Sequence, residues 1–404
     1  MMKFSNDLGN SSIKATINGE HYEIPSVVSQ VREFDITDPM EFNNEASKAA
    51  YISNLFDNLD ITVSSSAISM QGRYYFGNAA VKNSNNLLGF DINDYGGKSE
   101  SDISVILTLG FIAGKRVIEA YNDGEDLSET LKTDVVMTTA LPISEARVPG
   151  TRDKYRDRFI GRSHTVTINN FVDPITVKIN FSKVYVGFEG EMAHLYIQNA
   201  DNELKKGIFA DFKKHYPEDA KSITVDDLIS APNAMTLDFG SQTLDIATIV
   251  NGKTLLSASL SANNGFGYAL EDSVRVLQSK KMFFENRFKL QEYLNSDQGA
   301  LGQKRKSRVE QVVRDQIAPL VPQNVATVSK AVNLAGANIQ VVFALGGGSI
   351  PMGKYSDLRD QLSKKLAQFT GGDDIYVIFI PSEAAPYCNE RGLELMNEYL
   401  SSNK

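Results

Sequence analysis

The sequence predicts an alternating α/β fold built as two related lobes, and three observations carry that prediction. Near-continuous apolar runs, Asp134-Val-Val-Met-Thr-Thr-Ala-Leu141, Gln340-Val-Val-Phe-Ala-Leu345 and Ile375-Tyr-Val-Ile-Phe-Ile380, have the pattern of strands covered by helices on both faces. Between them lie segments with helical apolar spacing, such as 101–119 (Ile103, Ile106, Leu107, Phe111, Val117, Ile118) and 357–369 (Leu358, Leu362, Leu366, Phe369). One hairpin grammar also occurs twice, as Asp7-Leu-Gly9-Asn10-Ser11-Ser12-Ile13 and as Asp238-Phe-Gly240-Ser241-Gln242-Thr243-Leu244. Each copy runs on to an Asn-Gly turn, Asn18-Gly19 and Asn251-Gly252.

Length and composition bound the rest. At 404 residues the chain can bury a sizeable core and form two or three domain-scale units, and 42% hydrophobic with 23% charged residues is ordinary for a globular protein. A formal net charge of -9 argues against direct nucleic-acid binding, because neutralising phosphates needs surplus Lys and Arg. Any DNA partner would be reached through another protein. No apolar run approaches the roughly 18 to 20 residues of a membrane span, and Met1-Met2-Lys3-Phe4 leads into a polar hairpin rather than a signal peptide. A cytoplasmic protein with no membrane partner is expected. The single Cys388 excludes a disulfide framework, and His21, His164, His194 and His215 are too scattered to suggest zinc.

In chain order, the first hairpin continues into a third strand at 21–24, which Pro25 ends. Residues 26–100 are polar and Asn-rich with short β-like pieces, and they read as a smaller inserted subdomain. A helix over 101–119 takes Ser101 or Asp102 as its N-cap, and the strand at 134–141 stops at Pro142. The basic stretch 154–162 reads as helical, and 165–168, 175–179 and 183–186 read as strands. The last ends in Gly187-Phe188-Glu189-Gly190-Glu191 before a helix over 192–198. A carboxylate at that junction can serve chemistry or simply favour a helix N-terminus through the macrodipole. The first lobe is thus expected over 1–230 and the second over 231–404.

In the second lobe, Asn263-Asn-Gly265-Phe-Gly267 opens a helix, either presenting N–H groups to an anion or serving as a plain turn. An inserted helical subdomain is expected at about 276–330, its run Lys304-Arg305-Lys306-Ser307-Arg308 forming a solvated face. Gly346-Gly347-Gly348-Ser349 follows a buried strand, where glycines let a ligand approach the backbone. Gly371-Gly372 closes the helix 357–369, and a terminal helix over 390–400 can pack back on the first lobe.

If each hairpin copy opens a lobe, their tips can face across a cleft. The N–H groups of 9–12 and 240–243 could then grip a polyphosphate from two sides. Asp7 and Asp238 would come together there, and two carboxylates beside phosphates call for Mg2+ held mostly through its waters. Lys14 alternates onto the side of the hairpin tip, either adding a point charge for the phosphates or lying exposed on its strand. The loop 346–349 lacks a Gly-Lys-Ser/Thr ending and suits a nucleoside better than phosphates.

The succession of these three motifs resembles the phosphate-1, phosphate-2 and adenosine motifs of the actin, sugar-kinase and heat-shock-chaperone superfamily, over nearly the whole chain. Within it the chain is most similar to bacterial actin-like ATPases of the plasmid-segregation, ParM-like type. That similarity rests on Thr139-Ala-Leu-Pro-Ile-Ser-Glu145, the basic stretch 154–162, the pair Asp238 and Asp245, and Cys388-Asn-Glu-Arg-Gly-Leu393. The resemblance implies an actin-like fold, with two lobes of duplicated βββαβα type facing across a nucleotide cleft, each with an inserted subdomain. It implies ATP or ADP with Mg2+, GTP remaining open, and makes Glu189 the carboxylate that positions the attacking water and Asp7 and Asp238 the metal-side aspartates, acting through water. Gly9, Asn10, Ser11, Ser12, Lys14, Gly240, Ser241, Gln242, Thr243 and Gly265 would hold phosphates, with Gly346, Gly347, Gly348 and Ser349 as the adenosine loop. Where the family usually has Gly-Gly or Gly-Thr in the phosphate-2 turn, this chain has Ser241-Gln242. The implied function is a head-to-tail filament whose contacts loosen on hydrolysis and which segregates plasmid DNA through a DNA-binding adaptor. A small-molecule kinase of sugar type needs a base beside a substrate pocket, and no distinct sugar-binding cluster is present. A chaperone-like ATPase on the same scaffold needs a separate peptide-binding domain.

Overall fold

The computed structural model describes residues 1–83, 86–90, 96–371 and 375–402. Gly372, part of the expected helix stop, lies outside them. The chain forms two compact units: Met1–Leu141, Glu145–Phe188 and Glu390–Lys404 make the first, and Pro142–Ser144 with Glu189–Asn389 the second.

The first unit holds a ten-stranded sheet. Its strands are β1 (Met2–Leu8), β2 (Ser12–Ile17), β3 (Glu20–Pro25), β4 (Val27–Gln30), β5 (Asp60–Ser65), β6 (Gly72–Phe76), β7 (Leu88–Gly89), β8 (Leu131–Leu141), β9 (His164–Ile168) and β10 (Ile175–Phe188). They lie in the order β3-β2-β1-β8-β10-β9-β5-β6-β4-β7. The two strands expected at 175–179 and 183–186 are one strand, β10, whose register against β8 shifts between Phe181 and Lys183. The short strands of residues 26–100 continue this sheet through β5 and β9 instead of forming a separate one. The basic stretch is helical only as Thr151–Arg156, followed by turns.

Alternation along β1 sorts its residues between two helices. Phe4 faces the helix Asp102–Asn122, stacking near Phe111, and Asn6 donates to Thr108 at 3.0 Å. That helix, capped by Ser101, is buried over most of its length because it lies on the sheet beneath the inserted strands. Gly110 lets the Phe76 ring approach, since a Cβ there would fall 2.7 Å from it. On the other face the helix Cys388–Ser402 packs, with Asn397 Nδ2 donating to the carbonyls of Phe4 and Val136, both at 3.0 Å.

The second unit's sheet comprises β11 (Ala234–Phe239), β12 (Leu244–Val250), β13 (Lys253–Thr254), β14 (Leu260–Ala262), β15 (Val341–Leu345) and β16 (Tyr376–Phe379), ordered β13-β12-β11-β15-β16 with β14 on β12. Val342 and Ala344 face the core made with the helices Phe266–Ser279, Gly299–Ile317, Leu320–Leu334 and Leu358–Leu366. Val341, Phe343 and Leu345 face the opposite core, with the helices Glu191–Gln198 and Asn202–His215. Those two helices bury Ile197, Leu204, Ile208 and Phe212 there, so residues 189–230, expected with the first lobe, lie in the second unit.

The duplication is visible in the pairing. Both β3-β2-β1-β8-β10 and β13-β12-β11-β15-β16 run antiparallel, antiparallel, parallel, parallel. Asp7 pairs with Lys14 and Leu8 with Ile13; Asp238 pairs with Asp245 and Phe239 with Leu244. Both hairpins then close through Asn-Gly turns with positive φ at both residues, as a type I′ turn requires. No helix among the described residues is long and apolar enough to cross a membrane.

Gly110→Val is expected to lower the unfolding free energy by roughly 1–3 kcal/mol, the usual penalty of overpacking. A chemical-denaturation midpoint equal to that of the unaltered protein would contradict the packing of Gly110 on Phe76.

Candidate functional site

In the first unit the turn 9–12 joins β1 and β2. A Cβ on Gly9 would lie 2.6 Å from the Ser12 carbonyl, so only glycine fits the close approach. Ser26 takes two of the turn's carbonyls: its N–H donates to Ser11 O at 3.1 Å and its Oγ to Gly9 O at 2.5 Å. In a trans peptide the carbonyl of one residue and the N–H of the next point in opposite directions. Tying down the carbonyls of Gly9 and Ser11 therefore turns the N–H groups of Asn10 and Ser12 the other way.

Asp7 ends β1 as a buried carboxyl. Burial pushes its pKa above the usual carboxylate range; Lys14 and Lys98 oppose this, and Glu390 and Glu23 add to it. Lys14 stands across from both Asp7 and Glu23 in the strand register, which puts the three on one face. Lys98 was not among the residues singled out by sequence. It is buried at the start of the short helix Gly97–Glu100, where the Glu145 carboxylate accepts the N–H groups of Lys98 at 3.1 Å and Ser99 at 3.0 Å. A Cβ on Gly97 would collide with Glu145. Nearby, His21, Glu390 and Glu394 cluster. Arg391 donates to His21 Nε2 and forms an ion pair with Glu394 at 3.3 Å, while His21 Nδ1 meets Glu390 at 2.8 Å, so the cluster is a hydrogen-bonded network joining β3 to the terminal helix.

In the second unit the turn 240–243 is held by the start of the helix Phe266–Ser279. The N–H of Phe266 donates to Gly240 O at 3.2 Å, that of Gly267 to Ser241 O at 2.6 Å, and that of Gly265 to Gln242 O at 3.1 Å. By the same peptide geometry the N–H groups of Ser241, Gln242 and Thr243 point away from the helix. This corrects the reading of Gly265 as an anion donor: its N–H supports the turn, as the orphan donors of a helix N-terminus need partners. A Cβ on Gly265 would strike the backbone of Ser241 and Gln242. Thr243 Oγ1 donates to Asp245 at 2.6 Å, so Asp245, at the register position of Lys14, braces the turn instead of supplying a charge.

Asp238 is half-buried at the end of β11, and its Oδ2 accepts from Asn389 Nδ2 at 2.7 Å. Gly346, at φ +83°, lies so close that a Cβ would fall 2.1 Å from Asp238 Oδ1; Gly348 donates its N–H to Phe239 O at 2.8 Å. Both glycines thus serve packing against β11, and Gly347 alone of the three faces open space. Ser349 is buried, its hydroxyl donating to Gly346 O at 2.8 Å.

Glu189, buried, precedes the helix Glu191–Gln198. The Asn389 side-chain oxygen accepts the N–H groups of Gly190 at 2.8 Å and Ala193 at 3.2 Å, and Thr236 Oγ1 donates to Gly190 O at 3.1 Å. Gly190 sits at φ +80°, and a Cβ would lie 2.8 Å from that of Ala247. Asn389 therefore fixes the backbone beside Glu189 with one end of its amide and Asp238 with the other. Sequence reading noted its stretch without assigning Asn389 a role, since an asparagine some 150 positions from its partner gives no local signal.

Residues 5–191 match the family model of the actin-like proteins' N-terminal domain. In structure the chain is similar to the actin-like protein Alp7A, at 15% identity and TM-score 0.66 over 99% of this chain and 96% of that one. It is similar also to Ta0583, an archaeal actin homologue, at 16% identity and TM-score 0.62 over 99% and 100%. ParM of Bacillus thuringiensis, solved with ATP, matches at 15% identity and TM-score 0.62 over 100% of both chains. A comparison with curated proteins finds no match. The fold is the actin-like fold of ParM and Alp7A. Residues 5–191 are thus similar in sequence to that N-terminal domain, and the likeness in fold extends over the whole chain.

His194, on the helix after Glu189, is 5% exposed and neither ring nitrogen has a hydrogen-bond partner among the described residues; burial pushes its pKa down to about 4. The unfolded chain then binds more protons below the ordinary pKa of 6.5, so stability should fall as pH drops from there toward 4, by up to about 3 kcal/mol. Denaturation at pH 7 and pH 4.5 of the unaltered protein and of His194→Leu tests this: the substitution should remove that part of the pH dependence, and an unchanged slope would refute it.

Proposed function

We propose that this protein is a nucleotide-dependent, filament-forming ATPase. The observation that supports the reading best is the paired construction of the turns 9–12 and 240–243: equal register, a carboxylate just before each, and carbonyls tied off so that N–H groups are directed away. Directed backbone N–H groups are a recurring way to hold phosphate. ParM solved with ATP and with ADP is a structural relative, in keeping with a nucleotide ligand here.

Asp7 and Asp238 each offer hard oxygen donors beside the turn of their own unit, a donor type that suits Mg2+ held through water and poorly suits softer metals. When bound, the ion would screen the phosphate charge. Lys14, half-buried and facing Asp7, supplies a fixed positive charge to the same end of the hairpin. Gly347 is the open position over which a nucleoside would lie. Glu189 accepts a hydrogen bond from the attacking water and orients it toward the γ-phosphate, with the backbone beside it held by Asn389 and Thr236. Ser241 and Gln242 would then contact phosphate through their N–H groups.

Assembly would be head-to-tail, and hydrolysis would loosen it. In a cytoplasmic setting, an acidic chain of this kind would reach plasmid DNA through a basic adaptor. Light scattering on addition of ATP and Mg2+ should rise with protein concentration, and electron microscopy should show filaments; no rise, with sugar-dependent formation of ADP, would replace this reading by a kinase. Glu189→Ala should slow phosphate release by roughly a hundredfold while assembly persists, and undiminished release would remove Glu189 from that role.

A further inference from the structure

Ser241 lies in the turn 240–243, and its side chain has a specific partner. Arg287 Nη1 donates to Ser241 Oγ at 2.9 Å. The guanidinium is 12% exposed, lies 3.3 Å from Glu271 Oε1 and stacks 4.8 Å from the centre of the Phe288 ring. A Cβ on Gly267 would lie 2.5 Å from both Arg287 Nη1 and Ser241 Oγ, so these groups meet over the first turn of the helix Phe266–Ser279. That is the side to which the turn's carbonyls point, opposite the N–H groups of 241–243. Arg287 is the first residue of the helix Arg287–Asn295, capped by Asn286, within the helical insertion of the second unit.

We propose that Arg287 is the positioning residue of the turn 240–243, drawing the Ser241 side chain onto the helix side so that the N–H groups of Ser241, Gln242 and Thr243 stay clear for phosphate. A glycine turn needs no such restraint. A serine does, because its hydroxyl could otherwise rotate toward its own turn's N–H groups and compete with an anion for them. Burying a guanidinium is costly unless its donors are paired, and here Ser241 and Glu271 pair it, while burial lowers its pKa. The insertion thereby becomes a part of the phosphate site. This assignment rests on the nucleotide-binding reading above.

The test is a double-mutant cycle on ATP hydrolysis with Arg287→Ala, Ser241→Gly and the pair. Arg287→Ala alone should lower kcat by about tenfold, the loss of one charged hydrogen bond, with KM for ATP changed less than threefold. Added to Ser241→Gly it should change kcat less than twofold, because the side chain it restrains is gone. An equal loss in both backgrounds, or no loss in either, overturns the proposal. Arg287→Met, which keeps the apolar stem and removes the donors, should reproduce the loss if the alanine variant does not fold, and wild-type kcat in it also overturns the proposal. Hydrogen exchange of the 263–268 segment without nucleotide separates this from the parent reading. Faster exchange of the Gly265, Phe266 and Gly267 amides in the Arg287 variants supports the assignment even if the protein binds no ATP, and unchanged exchange refutes it even if the protein does.

Discussion

The first N–H groups of the helix Phe266–Ser279 close on the carbonyls of the turn 240–243, and the architecture of the second unit's site follows from that contact. Helix N-termini leave donors that need partners, and a tight turn between two strands leaves carbonyls in the same condition. Each supplies what the other lacks. Once three consecutive carbonyls are taken, planar trans peptides fix the direction of the next three N–H groups. The glycines at 265 and 267 are required by the closeness of this contact, since any side chain there would strike Ser241 or Gln242.

The first unit reaches the same end with different parts. Ser26, between β3 and β4, takes the carbonyls of Gly9 and Ser11 with its own N–H and hydroxyl. The register is duplicated but the support is not. The position opposite the aspartate shows the same divergence: Lys14 in one unit faces Asp7, while Asp245 in the other accepts from Thr243 and from Ser261, at 2.5 Å, and stiffens the turn. One unit carries the positive charge and the other carries the brace.

Much of this was legible in the chain, because hairpins are local objects. Alternation, Asp-x-Gly and Asn-Gly are contained within some twenty residues, so the two strand-turn-strand units and their Asn-Gly closures could be located and aligned. The long buried strands and the helix Asp102–Asn122 were legible for the same reason: their signal is a period. The supporting residues were not. Asn389, Arg287 and Lys98 are ordinary polar residues in ordinary helical starts, and their roles depend on partners far along the chain. Gly265 was legible as the opening of a helix that could present its N–H to an anion, but the acceptor is the protein's own turn.

The sequence alone determined the α/β class, the doubling of the hairpin and the identity of the carboxylates that end it, since backbone propensity and side-chain alternation act over a few residues. Only the tertiary structure decided which unit the residues 189–230 join, where the N–H groups of each turn point, and that Asn389 holds Asp238 and the backbone beside Glu189 together. Those are matters of packing between distant segments. A helix goes with the sheet whose apolar face it can bury, and a donor turns toward the acceptor that folding brings beside it.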